Sequence, residues 1–183
     1  MGMTNAGEVW TPSELVSHLA TMEPPAWARA VTLHHTGSPR LADRPDGFNA
    51  QGMRDTKLFY ETTYNWTEGP HLFIDDDQCW GLTDFQTQGQ HAHNIEDYSF
   101  GIEVLGNYHQ DSPFSGRGLN CWTTALAATR ALLHWMGLTP STQTVLFHRD
   151  DPDANKQCPG VLVEKAWVLA PLREGLTPLG GGR

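Results

Sequence analysis

Residues 30–39 read AVTLHHTGSP. The run from Ala30 to Thr36 is short and rich in residues that suit a strand, and Gly37, Ser38 and Pro39 break the chain after it. Successive side chains of a strand point to opposite faces. His34 and His35 therefore diverge, and only one of them can enter a given site while the other packs or hydrogen-bonds. A histidine pair at the point where an apolar strand meets a glycine turn is well placed for presentation to a cleft, because a rigid scaffold holds it there.

Outward from this strand, helical and strand patterns alternate. Residues 50–64 read as a helix with Met53, Leu58 and Phe59 as apolar positions, stopped by Gly69 and Pro70. His71 to Ile74 and Cys79 to Leu82 read as two strands joined by the acidic turn Asp75-Asp76-Asp77. That turn is expected to be solvated, because the rest of a calcium-loop pattern is missing. A strand follows from Ser99 to Leu105, closed by Gly106, and then a loop from Pro113 to Asn120. The clearest helix runs from Trp122 to Met136, with Ala125, Leu126, Thr129, Leu132, Leu133 and Met136 on one face and Gly137 as its stop. A strand from Thr144 to Phe147 leads into His148, and a last helix from Val161 to Ala170 is closed by Pro171. Upstream, Thr11 is a helix cap with Pro12 at the first helical position, and Leu15, Leu19 and Met22 give that helix an apolar side before Pro24 and Pro25 end it. The expected organisation is a helical extension over residues 1–26, a main domain over 27–175 and a tail over 176–183. The alternation predicts an α/β fold: a mixed central β-sheet flanked by helices.

The chain has 183 residues, enough for one domain with a hydrophobic core. Its net charge of −9 argues against nucleic acid, whose phosphates repel it, and against attraction to an anionic membrane. No apolar run has the length of a membrane helix, so no membrane insertion is expected. The first residues lack the basic flank and apolar stretch of a secretory signal, so synthesis in the cytoplasm is expected. A monomer is expected. The three cysteines form no CxxC pair, and an odd number is a poor disulfide framework.

A catalytic zinc needs about three protein ligands and a fourth position open to water. His34 or His35, His148 and Cys158 could supply them from three separate places. Taken singly, each is as well explained by packing. Cys158 differs from a core cysteine in lying in the polar stretch HRDDPDANKQCPG, residues 148–160, with Lys156 nearby. A loop cysteine beside a lysine has a reason to be a thiolate. On spacing alone, a metal site and packed side chains both remain open.

Four stretches in order carry a resemblance: VTLHHTG at 31–37, PHLFIDDDQCWGL at 70–82, QHAHNIEDYSFGIEVLGNY at 90–108 and HRDDPDANKQCPG at 148–160. Together they resemble the zinc amidases of the type 2 amidase and peptidoglycan recognition protein superfamily, phage endolysins included. The resemblance implies an amidase-like α/β fold and hydrolysis of the amide between N-acetylmuramic acid and L-alanine. It implies Zn2+ held by His34, His148 and Cys158, with Lys156 steadying the oxyanion and Glu103 moving the proton. One branch of the family has a tyrosine where this chain has Pro70, which favours Glu103 for that role. The resemblance also places His91 and Asn94 along the substrate groove, with His35 and Trp66 as further substrate contacts. Trp66, Trp80 and Phe85 are candidates to stack on a sugar face. The implied partner is peptidoglycan or a soluble muropeptide. The rivals are a module that binds peptidoglycan without cleaving it, a cytosolic muropeptide-recycling amidase, and a closed structural zinc.

Overall fold

The computed structural model describes residues 2–174. The AVTLHH strand lies inside a six-stranded sheet. In chain order the strands are β1 (Val9–Trp10), β2 (Ala30–His35), β3 (Leu72–Ile74), β4 (Cys79–Gly81), β5 (Ser99–Val104) and β6 (Val145–Phe147). Across the sheet their order is β1-β4-β3-β5-β2-β6. β2 runs parallel to both β5 and β6, and β3 runs parallel to β5, whereas the β3–β4 and β1–β4 pairs are antiparallel. The sheet is therefore mixed, as the sequence predicts. β1 was not foreseen, because two residues are too few to display an alternation.

The period of two sorts the strands into faces. Val31, Leu33, Leu72, Ile74, Phe100, Ile102, Val104, Val145 and Phe147 all enter one large apolar cluster. The cluster is completed by α1 (Pro12–Leu19), α3 (Gly116–Trp135) and α4 (Lys165–Arg173), through residues such as Leu15, Leu19, Trp122, Leu132 and Val168. The intervening residues, among them Phe73 and Trp80, belong to the other face. There a smaller cluster with Met3, Leu82 and Met53 lies under α2 (Ala50–Phe59). α1 is fixed at its start by a capping box in which Glu14 N–H donates to Thr11 Oγ1 and Thr11 N–H to Glu14 Oε2. Leu15 and Leu19 are fully buried in the main cluster, and β1 extends the sheet.

Some local expectations need correction. α3 begins at Gly116, inside the stretch expected to be a loop. Gly118 lies in that stretch, and a Cβ there would lie 2.0 Å from Ser112 O, so the glycine serves a close approach. The last helix begins at Lys165 and carries Pro171 inside it. The preceding residues are tied down instead, with Leu162 N–H donating to Tyr108 O. On α2, Met53 is core, but Leu58 and Phe59 are 57% and 48% exposed. The acidic turn is not solvated at Asp75, which is 4% exposed. Its carboxylate accepts from Phe48 N–H (2.8 Å), Trp80 Nε1–H (2.9 Å) and Gln78 N–H (3.0 Å). It thereby ties the β3–β4 turn to the segment before α2. Among the described residues all three cysteines are free, and no helix is long and apolar enough to cross a membrane. The tail expected over 176–183 lies outside the described residues.

Candidate metal centre

The parallel register of β2 and β5 sets His34 directly beside Glu103. Both side chains belong to the sheet face opposite the main cluster. β6 ends at Phe147, so His148 follows Leu146 on that same face, at the start of the turn His148–Asp150. The turn is held by Phe147 N–H donating to Asp150 Oδ2 (2.7 Å) and by the ion pair of Lys165 with Asp150. The chain then loops away and returns, with Arg149 N–H donating to Cys158 O (3.1 Å). Gly160 makes the return possible. Its φ is +111°, and a Cβ there would lie 2.4 Å from the Tyr108 carbonyl carbon. Residues 124 positions apart, His34 and Cys158, thus become neighbours.

His34 Nδ1 is 3.0 Å from His148 Nδ1 and 3.8 Å from Cys158 Sγ, and the three donor atoms lie within 4.8 Å of one another. A tetrahedral zinc with ordinary bond lengths separates two nitrogens by about 3.3 Å and nitrogen from sulfur by about 3.6 Å. The two spacings from His34 are close to those values, and the three donors together, within 4.8 Å, form a wider triangle than a bound ion would hold. Of the two neighbouring histidines, His34 enters the cluster. His35 accepts a hydrogen bond at Nδ1 from Tyr108 N–H (3.0 Å) and packs edge-on against His109.

Burial dominates the electrostatics of this cluster. Burial holds His34 well below the usual imidazole range, and His91 and His148 push the same way. The 3.9 Å approach of Glu103 to His34 is therefore not an ion pair. Burial raises Glu103 to about 8, opposed by Lys156, so it can hold a proton near neutral pH. Cys158 corrects an expectation. Burial, and next Glu103, push its thiol up to about 12, and Lys156 only partly opposes them. A thiolate here needs a bound cation.

The cluster opens into a cavity of about 1190 Å³. His34, His35, His91, Glu103, His148, Lys156, Cys158 and Trp66 all line it. Asn94 does not. Its amide donates to Asp151 Oδ1 (2.7 Å) and Asp153 Oδ2 (2.9 Å), which ties it to the loop that leads to Cys158. His91 is only 8% exposed and both its ring nitrogens are engaged within the protein, which leaves none for a substrate. Trp80 and Phe85 are core, not sugar platforms. Trp66 belongs to an aromatic wall whose other members, Phe59, Tyr60 and Tyr64, were not foreseen; it follows α2, where the helix widens into a π-turn over Tyr60–Tyr64 that ends at Asn65 with φ 55°. Phe59, Tyr60, Tyr64 and Trp66 line the cavity, with ring centroids of neighbouring pairs 5.2–6.2 Å apart. The aromatic spacing in FYETTYNW was the available signal, but a helical period conceals a π-turn.

A sequence profile of the N-acetylmuramoyl-L-alanine amidase family matches residues 23–161. The chain belongs to this family. No curated protein matches this amidase-family chain in sequence. Solved structures share its fold. Wild-type Drosophila PGRP-LB superposes with a TM-score of 0.63 at 18% identity, covering 94% of this chain and 91% of that one. The endolysin N-acetylmuramoyl-L-alanine amidase LysCS from Clostridium intestinale gives 0.56 at 20% identity, covering 82% and 84%. Human PGRP-IBETAC, in complex with glycosamyl muramyl pentapeptide, gives 0.58 at 18% identity, covering 83% and 87%.

Proposed function

We propose that this chain is a zinc-dependent N-acetylmuramoyl-L-alanine amidase acting on peptidoglycan as a phage-type cell-wall lytic enzyme. The observation that carries this is the convergence of His34, His148 and Cys158 within 4.8 Å, beside Glu103, on the wall of one large cavity. These three side chains would hold the metal. Bound zinc supplies Lewis acidity, which polarises the scissile carbonyl and makes water a stronger acid. The other residues supply what zinc does not. Glu103 takes the proton released as water adds to the lactyl carbonyl carbon, and delivers it to the L-alanine nitrogen as the C–N bond breaks. Lys156 places positive charge near the carbonyl oxygen as it becomes negative. Trp66 and the adjoining aromatic wall offer apolar faces to the sugar, and His35 borders the same groove.

The test is a paired measurement on purified protein. Metal analysis is expected to give about one zinc per chain. Incubation with sacculi is expected to release new L-alanine amino termini. Binding without new amino termini would make the protein a recognition module. Cleavage of soluble anhydro-muropeptides but not of sacculi would make it a recycling enzyme.

A further inference from the structure

Behind the three donors lies a fourth histidine to which the proposed chemistry gives no task. We propose that His91 is a positioning residue that fixes the tautomer and orientation of His34, so that Nδ1 of His34 meets the metal with a free lone pair. The inference rests on the zinc reading above, but its geometry stands on its own.

The direction of each hydrogen bond is forced from one end. His91 Nε2 is 3.1 Å from Ser99 O, and a carbonyl oxygen can only accept. Nε2 of His91 therefore carries the hydrogen. A neutral imidazole has one N–H, so Nδ1 of His91 is an acceptor. The His91 ring is buried, and a carbonyl oxygen and a second imidazole are the partners of its two nitrogens. Nε2 of His34 lies 3.0 Å from that acceptor and must donate to it. Nδ1 of His34 is then left without a hydrogen, and this is the atom facing His148 and Cys158. A main-chain carbonyl on β5 thus sets the protonation pattern of a ligand on β2, through one intervening ring.

The surroundings hold that ring still. The main-chain N–H groups of His91 and Ala92 both donate to Glu96 Oε2 at 2.7 Å. The His91 ring lies against Gly101, where a Cβ would come within 2.5 Å of Cδ2 and 2.6 Å of Cγ. A glycine in the middle of a strand thereby gains a reason, since any side chain there would displace the ring. The His34 and His91 rings meet edge-on, with 82° between their planes.

Removing His91 leaves a buried His34 Nε2–H without an acceptor. His34 is then free to carry its hydrogen on Nδ1, the wrong atom for the metal. Partners of this kind typically change metal affinity by about 10–100-fold. The experiment has two parts. In the metal-free wild type with 15N-labelled histidine, long-range 1H–15N spectra are expected to show both His34 and His91 protonated at Nε2. Zinc dissociation constants, measured by chelator competition, are expected to weaken about 10–100-fold in His91→Leu. In His91→Asn, whose amide oxygen can accept from His34, most of that loss is expected to be recovered. A metal-free wild type with the hydrogen on Nδ1 of His34 overturns the proposal, and so does a folded His91→Leu that binds zinc as tightly as wild type. If His91→Leu does not fold, the wild-type spectra alone decide. A wild type that takes up no zinc sinks the metal reading instead, and the spectra still report whether His91 dictates the His34 tautomer.

Discussion

His71 makes the fold acid-sensitive by an amount that can be worked from its surroundings. The side chain is fully buried and stacked against Trp27, and its Nδ1 accepts from Gly101 N–H (3.1 Å). Nε2–H donates to Thr87 O at 3.0 Å, in the segment leading to His91. A neutral ring satisfies both bonds, whereas a charged ring would turn a second N–H against Gly101 N–H. Burial accordingly lowers its pKa from 6.5 to about 4, opposed by the Thr87 bond. Between those values the unfolded chain binds the proton and the folded chain does not. Stability from this group is therefore full above pH 6.5 and is lost as pH falls toward 4. At pH 4.5 the loss amounts to roughly 2–3 kcal/mol. The assay is urea unfolding of wild type and His71→Gln at pH 7 and 4.5, with chelator in every sample so that metal release contributes nothing. The variant is less stable at pH 7, having weaker packing, but it lacks the titrating ring. The gap between the two proteins is expected to shrink by roughly 2–3 kcal/mol on acidification. A gap that stays constant between the two pH values would show that His71 titrates normally, and the argument from its burial would fail.

Further outcomes follow from the site and the core. Cys158→Ala is expected to lower bound zinc from about one per chain to near zero and to abolish wall hydrolysis, because two imidazoles alone hold the ion weakly; metal analysis and amino-terminus release measure both. Glu103→Gln is expected to keep its zinc while kcat drops about 10²–10⁴-fold, since only proton transfer is removed. Leu15→Ala is expected to cost about 2–5 kcal/mol in urea unfolding, as for any fully buried leucine; a cost near zero would make α1 an independent attachment. Gly160→Ala is expected to weaken zinc binding as well as stability, because a Cβ there meets the Tyr108 backbone at 2.4 Å and shifts the loop that carries Cys158.

The sequence by itself determined the strand and helix alternation, because periods of two and of 3.6 are written in local residue order. It also determined that His34 and His35 diverge, which is a property of any strand. It supplied the donor types and, through the order of four motifs, their grouping. Other features were invisible because they depend on pairings distant in the chain. The register that sets His34 beside Glu103 joins residues on different strands, and nothing local to either encodes it. Asp75 looked like a solvated turn residue because two of its donors, Phe48 and Trp80, lie outside the turn. The stretch 113–120 read as a loop because the Ser112 carbonyl that Gly118 accommodates becomes its neighbour only on folding. Cys158 looked like a thiolate because Lys156 is near in sequence, whereas burial, which outweighs that lysine, is decided only on folding. His91 lines the cavity, and only the fold shows that its ring also bridges His34 and a main-chain carbonyl. Local order fixes which way a side chain can point, but only the assembled sheet decides what it meets there, since hydrogen-bond partners and burial are properties of the whole packed chain.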